Sequence, residues 1–338
     1  MTEKIRLGLV GTGRIGKVHG QTITQHIPQA ELIALTDINR DSAQHAAQDF
    51  GVKRIPATFE EMVADPDLDA VIICSATNTH VPFIIAAAQH GKHIFCEKPI
   101  APDLKQIDSA LDAVEKANVK LMIGFNRRFD PNAERIKCAI DQQEIGTPHL
   151  MHIISRDPAP PPAEYVRVSG GMFMDMTIHD FDMARFLLGE VEEIYAVGGV
   201  LVDPAIGEAG DIDTALTTLK FASGALGVID NSRKAVYGYD QRIEVFGSAG
   251  SAASSNLYPD AVTISSAENV RQALPLNFFM DRYIQSYQAE LTAFIRCLTE
   301  NTAPPVSGLD GRIPVVMAKA ALTSLRENRP VKLAEVQA

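Results

Sequence analysis

The chain opens with Ile5-Arg6-Leu7-Gly8-Leu9-Val10-Gly11-Thr12-Gly13-Arg14-Ile15-Gly16, and this stretch decides the fold of the first part of the molecule. Its first six residues have the apolar character of a buried strand, and a helical pattern follows Gly16. A strand that runs directly into G-x-G-x-x-G at the start of a helix is a dinucleotide-binding fingerprint. The stretch therefore predicts a nucleotide-binding βαβ unit.

The glycines of this fingerprint have separate physical roles. Gly11 permits the tight turn, Gly13 lets a pyrophosphate approach the backbone, and Gly16 allows the helix to pack closely on the strand. The start of the helix, at Arg14 and Ile15, supplies free N–H groups and partial positive charge to the phosphates. We expect these five residues to contact the cofactor.

Asp37 lies at the end of the second predicted strand, 21 residues beyond Gly16 (37 − 16). This spacing is typical of the acid that binds the adenosine ribose. A carboxylate there accepts hydrogen bonds from the ribose 2′-OH and repels a 2′-phosphate, which favours NAD. Arg40 lies nearby and offers a partner for that phosphate, so NADP remains the alternative.

The first 125 residues or so alternate between short β-rich runs and helical patterns, which predicts an α/β domain with a doubly wound parallel sheet. The predicted strands are Ile5–Val10, Glu31–Thr36, Ala70–Cys74, His93–Cys96 and Lys120–Gly124. Ligands bind at the carboxyl edge of such a sheet. Further cofactor contacts are therefore expected from residues that follow the third and fourth strands: Ser75, Thr77, Asn78, His80, Glu97 and Lys98.

Residues 126–338 have a different sequence pattern from the first 125 residues. A stiff loop at Asp157-Pro158-Ala159-Pro160-Pro161-Pro162 cannot be helix interior or central strand. Sequential strand-like runs with short turns follow, and they predict an α+β domain with a large, mostly antiparallel, open-faced sheet. The predicted runs are Ile194–Val202, Ala215–Phe221, Ala225–Asn231, Arg242–Phe246 and Ala261–Ser265, and helices are predicted at Tyr283–Glu300 and Gly308–Glu327. The sequence leaves open whether the final helix packs back on the first domain.

Composition excludes several classes of protein. The 338 residues carry a net charge of −11, which disfavours a general nucleic-acid or anionic-membrane binder. No apolar run approaches the roughly 18 residues of a membrane span, and the N-terminus lacks a signal-peptide pattern. The four cysteines are scattered without a C-x-x-C pair. We expect a protein of the reducing cytoplasm.

Two histidine pairs invite a metal-site interpretation. His90 and His93 span a helix end and a strand start, whereas His149 and His152 lie along a strand. Neither pair brings a third ligand, and strand alternation turns the second pair to opposite faces. The sequence therefore predicts no catalytic metal.

Three motifs together resemble one family. Gly11-Thr12-Gly13, Glu97-Lys98-Pro99 and the run from Gly171 to Asp182 (GMFMDMTIHDFD) are similar to the Gfo/Idh/MocA oxidoreductases, across essentially the whole chain. Asp175–Asp182 and Arg156-Asp157-Pro158 resemble more narrowly the inositol 2-dehydrogenases of that family. The resemblance implies an N-terminal Rossmann domain that binds NAD.

The resemblance also implies a catalytic group of Lys98, Asp175 and His179. Asp175 and His179 are four residues apart, so they share one face if a single helix includes both. A carboxylate beside an imidazole orients it, and His179 can then take the proton of a carbinol while the hydride leaves for the nicotinamide. Lys98 is expected to donate a hydrogen bond to the substrate hydroxyl.

Substrate contacts are expected from Arg127, Asp157 and Tyr237, besides the three catalytic residues. Arg127 belongs to a loop that resembles the substrate-facing loop of the family, and Tyr237 matches a position that often lines the pocket. One of the adjacent residues Arg127 and Arg128 is expected to be structural, bonded to Asp130. A polyol needs many such donors and acceptors.

The resulting expectation is NAD-dependent oxidation of a ring hydroxyl of inositol to 2-keto-inositol. A dehydrogenase of a pyranose sugar, a redox-neutral glycosidase that uses NAD and a noncatalytic NAD-binding regulator are the alternatives. The open sheet face predicts self-association, and the resemblance makes a homotetramer the expected product. Candidate residues near that face are Val197, Val200, Leu219 and Val228.

Overall fold

The computed structural model describes residues 4–336, which form two compact units. The first unit runs to Phe129 and includes Ile284–Val315, and the second comprises Asp130–Tyr283 and the chain from Val316 onward. Among the described residues, no helix is both long and apolar enough to cross a membrane.

A five-stranded parallel sheet forms the core of the first unit, with the strand order β2-β1-β3-β4-β5. The third strand is buried at all four positions, as expected for a strand covered on both faces. The order confirms the predicted doubly wound sheet, and its switch point lies between β1 and β3, where ligands bind in such folds. The strands are β1 Ile5–Val10, β2 Ala30–Thr36, β3 Ala70–Ile73, β4 His93–Glu97 and β5 Leu121–Gly124.

Helices connect these strands, and most of their ends follow from local capping. The side chains of Asn39, Thr58 and Asp103 cap the second, third and fifth helices. Gly51 adopts the left-handed conformation expected at a helix end. The helices are α1 Arg14–His26, α2 Arg40–Phe50, α3 Phe59–Val63, α4 Thr77–Gln89 and α5 Leu104–Ala117.

The second unit is built on a seven-stranded sheet with the order β11-β10-β6-β9-β8-β7-β14. Only β6 and β9 are parallel among its pairs in the described chain, so the prediction of a mostly antiparallel sheet is confirmed. Its strands are β6 Pro148–Arg156, β7 Val191–Gly199, β8 Thr214–Phe221, β9 Leu226–Ser232, β10 Asp240–Gly247, β11 Gly250–Ser254 and β14 Val331–Lys332, and a separate hairpin contains β12 Thr263–Ser265 and β13 Val270–Gln272.

Seven helices accompany this unit or continue from it into the first. They are α6 Pro131–Asp141, α7 Ala163–Ser169, α8 Met172–Asp175, α9 Ile178–Leu188, α10 Pro204–Glu208, α11 Phe279–Thr299 and α12 Gly308–Glu327. The boundaries between the units fall inside α11 and α12, so residues of both helices belong to each unit.

The two faces of the large sheet differ in burial. Positions along β8 alternate strictly between buried and exposed, so Leu216 is half-exposed whereas Leu219 is only 2% exposed. The expectation that Leu219 lies near the open face is wrong, because the alternation turns it inward. Val197 and Val200 are exposed as expected, and Val228 is half-buried.

Candidate active site

The glycine loop joins β1 to α1 in a conformation that only glycine accommodates at two positions. Gly11 has φ +89°, and a Cβ there would lie 2.6 Å from the Cys74 backbone. A Cβ on Gly16 would lie 1.9 Å from the Gly11 carbonyl oxygen. These contacts give physical support to the roles predicted for the turn glycine and the helix-packing glycine.

Gly13 differs from Gly11 and Gly16 because its Cα faces open space. A Cβ at Gly13 would meet no atom of the described chain within 4 Å, and this residue caps α1 without a side-chain hydrogen bond. The first turn of α1 also contains no acidic residue. Free N–H groups beside open space are what a phosphate requires, so these residues fit a dinucleotide.

Asp37 lies directly after β2, and its carboxylate is fixed against the glycine loop. Oδ2 accepts hydrogen bonds from Thr12 N at 2.6 Å and Thr12 Oγ1 at 3.0 Å, and Oδ1 accepts one from Asn39 N at 2.8 Å. Each oxygen keeps further acceptor capacity. The arrangement holds a half-buried negative charge where a ribose diol can donate to it, while Arg40 is exposed at the start of α2.

The segment after β3 enters α4 at Thr77. Ser75 Oγ is 2.6 Å from Thr79 Oγ1, and Asn78 is exposed in the first turn of the helix. His80 is 1% exposed, and its ring nitrogens lie 2.8 Å from the Pro99 carbonyl oxygen and 3.0 Å from that of Ser75. The histidine thus ties together the loops after β3 and β4.

The fourth strand ends at Glu97, and half-buried Lys98 follows at the same edge of the sheet. The peptide bond between Lys98 and Pro99 is cis. Glu97 Oε1 lies 2.7 Å from Nε2 of His19 on α1. This edge therefore carries the glycine loop, Asp37, the segment after β3 and Lys98, as a parallel sheet requires.

In the second unit, Asp175 and His179 belong to different helices. Asp175 ends α8, and α9 begins at Ile178 after a break at Met176 and Thr177. The condition for a shared helical face, one helix that includes both residues, is therefore not met. The break is stabilised locally, because the buried Thr177 Oγ1 donates to Asn231 Oδ1 at 2.7 Å.

The Asp175 carboxylate is held from two sides. Tyr165 OH donates to Oδ1 at 2.8 Å, and Arg233 Nη1 lies 3.2 Å from Oδ2. Burial first, and then the charge and hydrogen bond of Asp175, raise the pKa of Tyr165, so its hydroxyl stays protonated and acts as the donor. Sequence reasoning did not identify Tyr165 or Arg233.

Two family models match the chain. The model described as "Oxidoreductase family, NAD-binding Rossmann fold" matches residues 5–125, and the "GFO/IDH/MocA C-terminal domain" model matches residues 133–253. The chain belongs to the Gfo/Idh/MocA oxidoreductase family. Its first 125 residues thus contain the NAD-binding Rossmann domain that the glycine fingerprint predicts.

Several Gfo/Idh/MocA relatives resemble the chain over nearly its whole length. A myo-inositol 2-dehydrogenase of Thermotoga maritima is 49% identical over 333 residues, which cover 98% of this chain and 99% of the relative. An inositol 2-dehydrogenase of Rhizobium meliloti is 43% identical over 98% of this chain and 99% of its own length. A solved scyllo-inositol dehydrogenase of Lactobacillus casei with NAD(H) and scyllo-inositol has a TM-score of 0.92 at 30% identity, covering 98% of this chain and 100% of that structure.

Within this Gfo/Idh/MocA chain, the adjacent arginines after β5 have different surroundings. Arg128 is buried and pairs with Asp310 at 3.1 Å, whereas Arg127 is half-buried. Asp130 pairs with Arg282 instead of either residue. The expected structural arginine is therefore Arg128, but the expected partner was wrong.

The remaining expected substrate residues lie in the second unit. Tyr237 OH donates to Asp240 Oδ2 at 2.6 Å and accepts a hydrogen bond from Arg156 Nη1 at 3.1 Å. Asp157 is fixed through its backbone, which donates to Ser232 O at 2.9 Å and accepts from Ala235 N at 2.6 Å. Burial and the bond to Asp240 raise the pKa of Tyr237, so it remains a neutral donor and acceptor.

A buried acid group in the first unit was not predicted. One ligand-type atom each of His19, Glu97 and Glu290 lies within 4.8 Å of the others, and Glu290 is fully buried on α11. The 2.7 Å separation of His19 Nε2 and Glu97 Oε1 is a hydrogen-bond distance. Burial first, and then the charge of Glu97, raise the pKa of Glu290.

Proposed function

We propose that this chain oxidises a ring hydroxyl of inositol to the ketone, forming 2-keto-inositol, with NAD as the hydride acceptor. The observation that carries the proposal is the whole-length likeness, at 49% identity, to a myo-inositol 2-dehydrogenase. The chain retains the glycine loop, Lys98, Asp175 and His179 that this chemistry requires. Residues 1–125 are proposed to hold NAD, and residues 126–338 to bind substrate and mediate self-association.

The proposed roles follow the chemistry of alcohol oxidation. Bound NAD supplies an electrophilic nicotinamide that can accept a hydride. As the hydride leaves the carbinol carbon with its electron pair, a ring nitrogen of His179 takes the hydroxyl proton and the carbonyl bond forms. Lys98 donates a hydrogen bond to the reacting oxygen, and Asp175 orients the base and binds a hydroxyl. Arg127, Asp157 and Tyr237 are proposed to contact the other hydroxyls.

Cofactor contacts are proposed at the edge of the first sheet. The glycine loop with Arg14 and Ile15 binds the pyrophosphate, and Asp37 binds the ribose, with Arg40 beside it. The fixed carboxylate of Asp37 supports a preference for NAD over NADP. The other proposed contacts of this edge are Ser75, Thr77, Asn78, His80, Glu97 and Lys98.

A panel of polyols tests the function. The purified chain is mixed with NAD and, separately, with myo-inositol, scyllo-inositol, glucose or no polyol, and NADH absorbance is followed. We expect NADH with at least one inositol and none without polyol, and no activity in a His179→Ala preparation made in parallel. NADH with glucose alone supports the pyranose alternative, and absence of NADH with every substrate contradicts the proposal.

We also propose self-association through the open face of the large sheet, with a homotetramer in the cytoplasm as the product. Leu150, Leu216, Leu226 and Phe246 leave about half of their surfaces exposed on adjacent strands. Sedimentation at micromolar concentration is expected to give a tetramer. Leu216→Glu with Leu226→Glu should reduce its size, whereas Leu309→Glu, another exposed leucine, should not. A monomeric parent chain contradicts this proposal.

A further inference from the structure

Arg233 follows β9 directly and is the most deeply buried arginine among the described residues. It is 1% exposed, and its backbone N–H donates to the Asp213 carbonyl at 2.8 Å. A guanidinium removed from water requires negative partners, since an unpaired buried charge strongly destabilises the fold. The identity of those partners therefore decides what the residue does.

Two carboxylates surround the Arg233 guanidinium. Nη1 lies 3.2 Å from Asp175 Oδ2, and Nη2 lies 3.7 Å from Asp211 Oδ2. Asp211 in turn packs against Gly171, where an added Cβ would lie 2.8 Å from Oδ1. Because Gly171 precedes α8 and Asp175 ends it, one arginine fixes both ends of this short helix.

The two oxygens of Asp175 are consequently unlike each other. Oδ2 faces the buried Arg233, whereas Oδ1 accepts its hydrogen bond from Tyr165, a residue 48% exposed. A polyol hydroxyl is a donor of the same kind as the tyrosine hydroxyl. A substrate hydroxyl can therefore replace Tyr165 at Oδ1 while Arg233 keeps Oδ2 in place.

We propose that Arg233 is a positioning residue of the hydroxyl oxidation, which holds the Asp175 carboxylate oriented toward substrate; this rests on the proposed function of Asp175 and His179. Arg233 touches neither reacting group itself. Its planar guanidinium, which presents several donors in fixed directions, can bond one carboxylate while facing a second. A catalytic carboxylate displaced by about 1 Å can cost about 100-fold in rate.

The proposal makes a specific statement about pH. The groups around Asp175 include Tyr165 on α7, Arg233 after β9 and, beyond the guanidinium, Asp211. Removing the guanidinium takes a positive charge away from two half-buried carboxylates, and the loss of a nearby positive charge favours the protonated form of a carboxyl group. The acid side of the pH profile of kcat/KM should therefore move to higher pH.

Arg233→Met tests this statement, because methionine keeps much of the side-chain volume without charge. We expect kcat/KM for the inositol found active with the parent chain to fall about 10–100-fold, with its acid limb displaced upward, and NAD affinity to stay unchanged. Arg282→Met is the matched control, since it also removes a guanidinium from a buried pair, with Asp130, in the same unit. Arg282→Met should lower the melting temperature without displacing the acid limb of the pH profile of kcat/KM.

Arg233→Lys decides the question if Arg233→Met does not fold. A lysine keeps the charge but cannot reach both carboxylates with a planar fork, so we expect a several-fold loss of kcat/KM and a smaller displacement of the limb. Wild-type kcat/KM and pH profile in either folded variant would overturn the proposal while leaving the function intact. A parent chain inactive with every polyol would overturn the function and, with it, this inference.

Discussion

Each unit of the molecule places two carboxyl groups close to one basic side chain, and the basic side chain differs between the units. In the first unit, Glu97 and Glu290 lie near one imidazole, that of His19. In the second, Asp175 and Asp211 lie beside the guanidinium of Arg233. A guanidinium remains charged at any pH at which the protein folds, whereas an imidazole and a carboxyl exchange protons. In the first group, burial first and then the charge of Glu97 raise the pKa of Glu290, whereas the basic member of the second group, Arg233, does not titrate.

This difference matches the chemistry proposed for each unit. The acid that must act on a substrate hydroxyl, Asp175, has a permanent cation behind it and so stays an acceptor. Glu290 is fully buried and has no hydrogen-bond partner among the described residues, and its raised pKa favours the neutral acid. A protonated carboxyl fills space beneath the cofactor edge without adding negative charge there.

The largest expected effect tests whether the chemistry lies in the second unit. His179→Ala should lower kcat about 10²–10⁴-fold, because a positioned general base contributes that much. NAD affinity, measured by fluorescence titration, should remain near that of the parent chain, because the proposed cofactor contacts belong to the other unit. His90→Ala removes an exposed histidine of α4 and serves as the control. Near-normal turnover in His179→Ala would make Lys98 the base and would break this division of roles.

The next effect tests the cofactor role of the first unit. Asp37→Ala removes an acceptor from the ribose position and also frees Thr12, so NAD affinity should fall about 10–100-fold, the worth of a hydrogen bond to a charged group. NADP affinity should fall less or increase, because repulsion of its phosphate is relieved and Arg40 can pair with it. Dissociation constants for NAD and NADP, measured for the parent chain and for the variant, give the ratio of the two affinities. An unchanged ratio would show that Asp37 is not at the ribose.

A third prediction concerns the buried pairs themselves. The folded-state pKa of Glu290 is above the unfolded value of about 4.3, so the folded chain holds this proton more tightly. Its contribution to stability is complete below that pH and is lost as pH rises through the folded pKa, by up to about 1.4 kcal/mol per pH unit. In Glu290→Gln the side-chain amide does not titrate, so the variant lacks this pH-dependent contribution to stability.

The stability of Glu290→Gln relative to the parent chain should therefore increase as pH rises above the unfolded-state pKa of about 4.3. Melting temperatures of both chains at a series of pH values above this pKa give the measurement. Arg233→Met should instead be destabilised throughout, since its carboxylates lose a cation that does not titrate. A constant difference between Glu290→Gln and the parent would mean that Glu290 is ionised in the fold, and the contrast between the units would fail.

More of the first unit than of the second could be predicted from the sequence, and the reason is physical. The glycine fingerprint works through backbone conformation, so the turn at Gly11 and the contact of Gly16 with the Gly11 carbonyl lie within six residues of chain. Arg233 meets Asp175 across 58 residues, and Glu290 meets Glu97 across 193 (290 − 97), only because sheets and helices bring them together. A charged residue in a strand-to-loop position looks solvated in a sequence until its partners are known. The break between α8 and α9 was missed similarly, because the distant Asn231 binds Thr177 there.

The smallest expected effect concerns Tyr165, which distinguishes a fixed partner of Asp175 from a replaceable one. If a substrate hydroxyl displaces the tyrosine hydroxyl, Tyr165→Phe removes a competitor and KM for the polyol should decrease about 2–10-fold, because water partly replaces this exposed hydrogen bond to the carboxylate. The value of kcat should change little, because Arg233 still orients the carboxylate. Steady-state kinetics over a range of inositol concentrations separate the two constants. A fall in kcat with unchanged KM would instead make Tyr165 part of the fixed support, so both oxygens of Asp175, and not Oδ2 alone, would be held during the reaction.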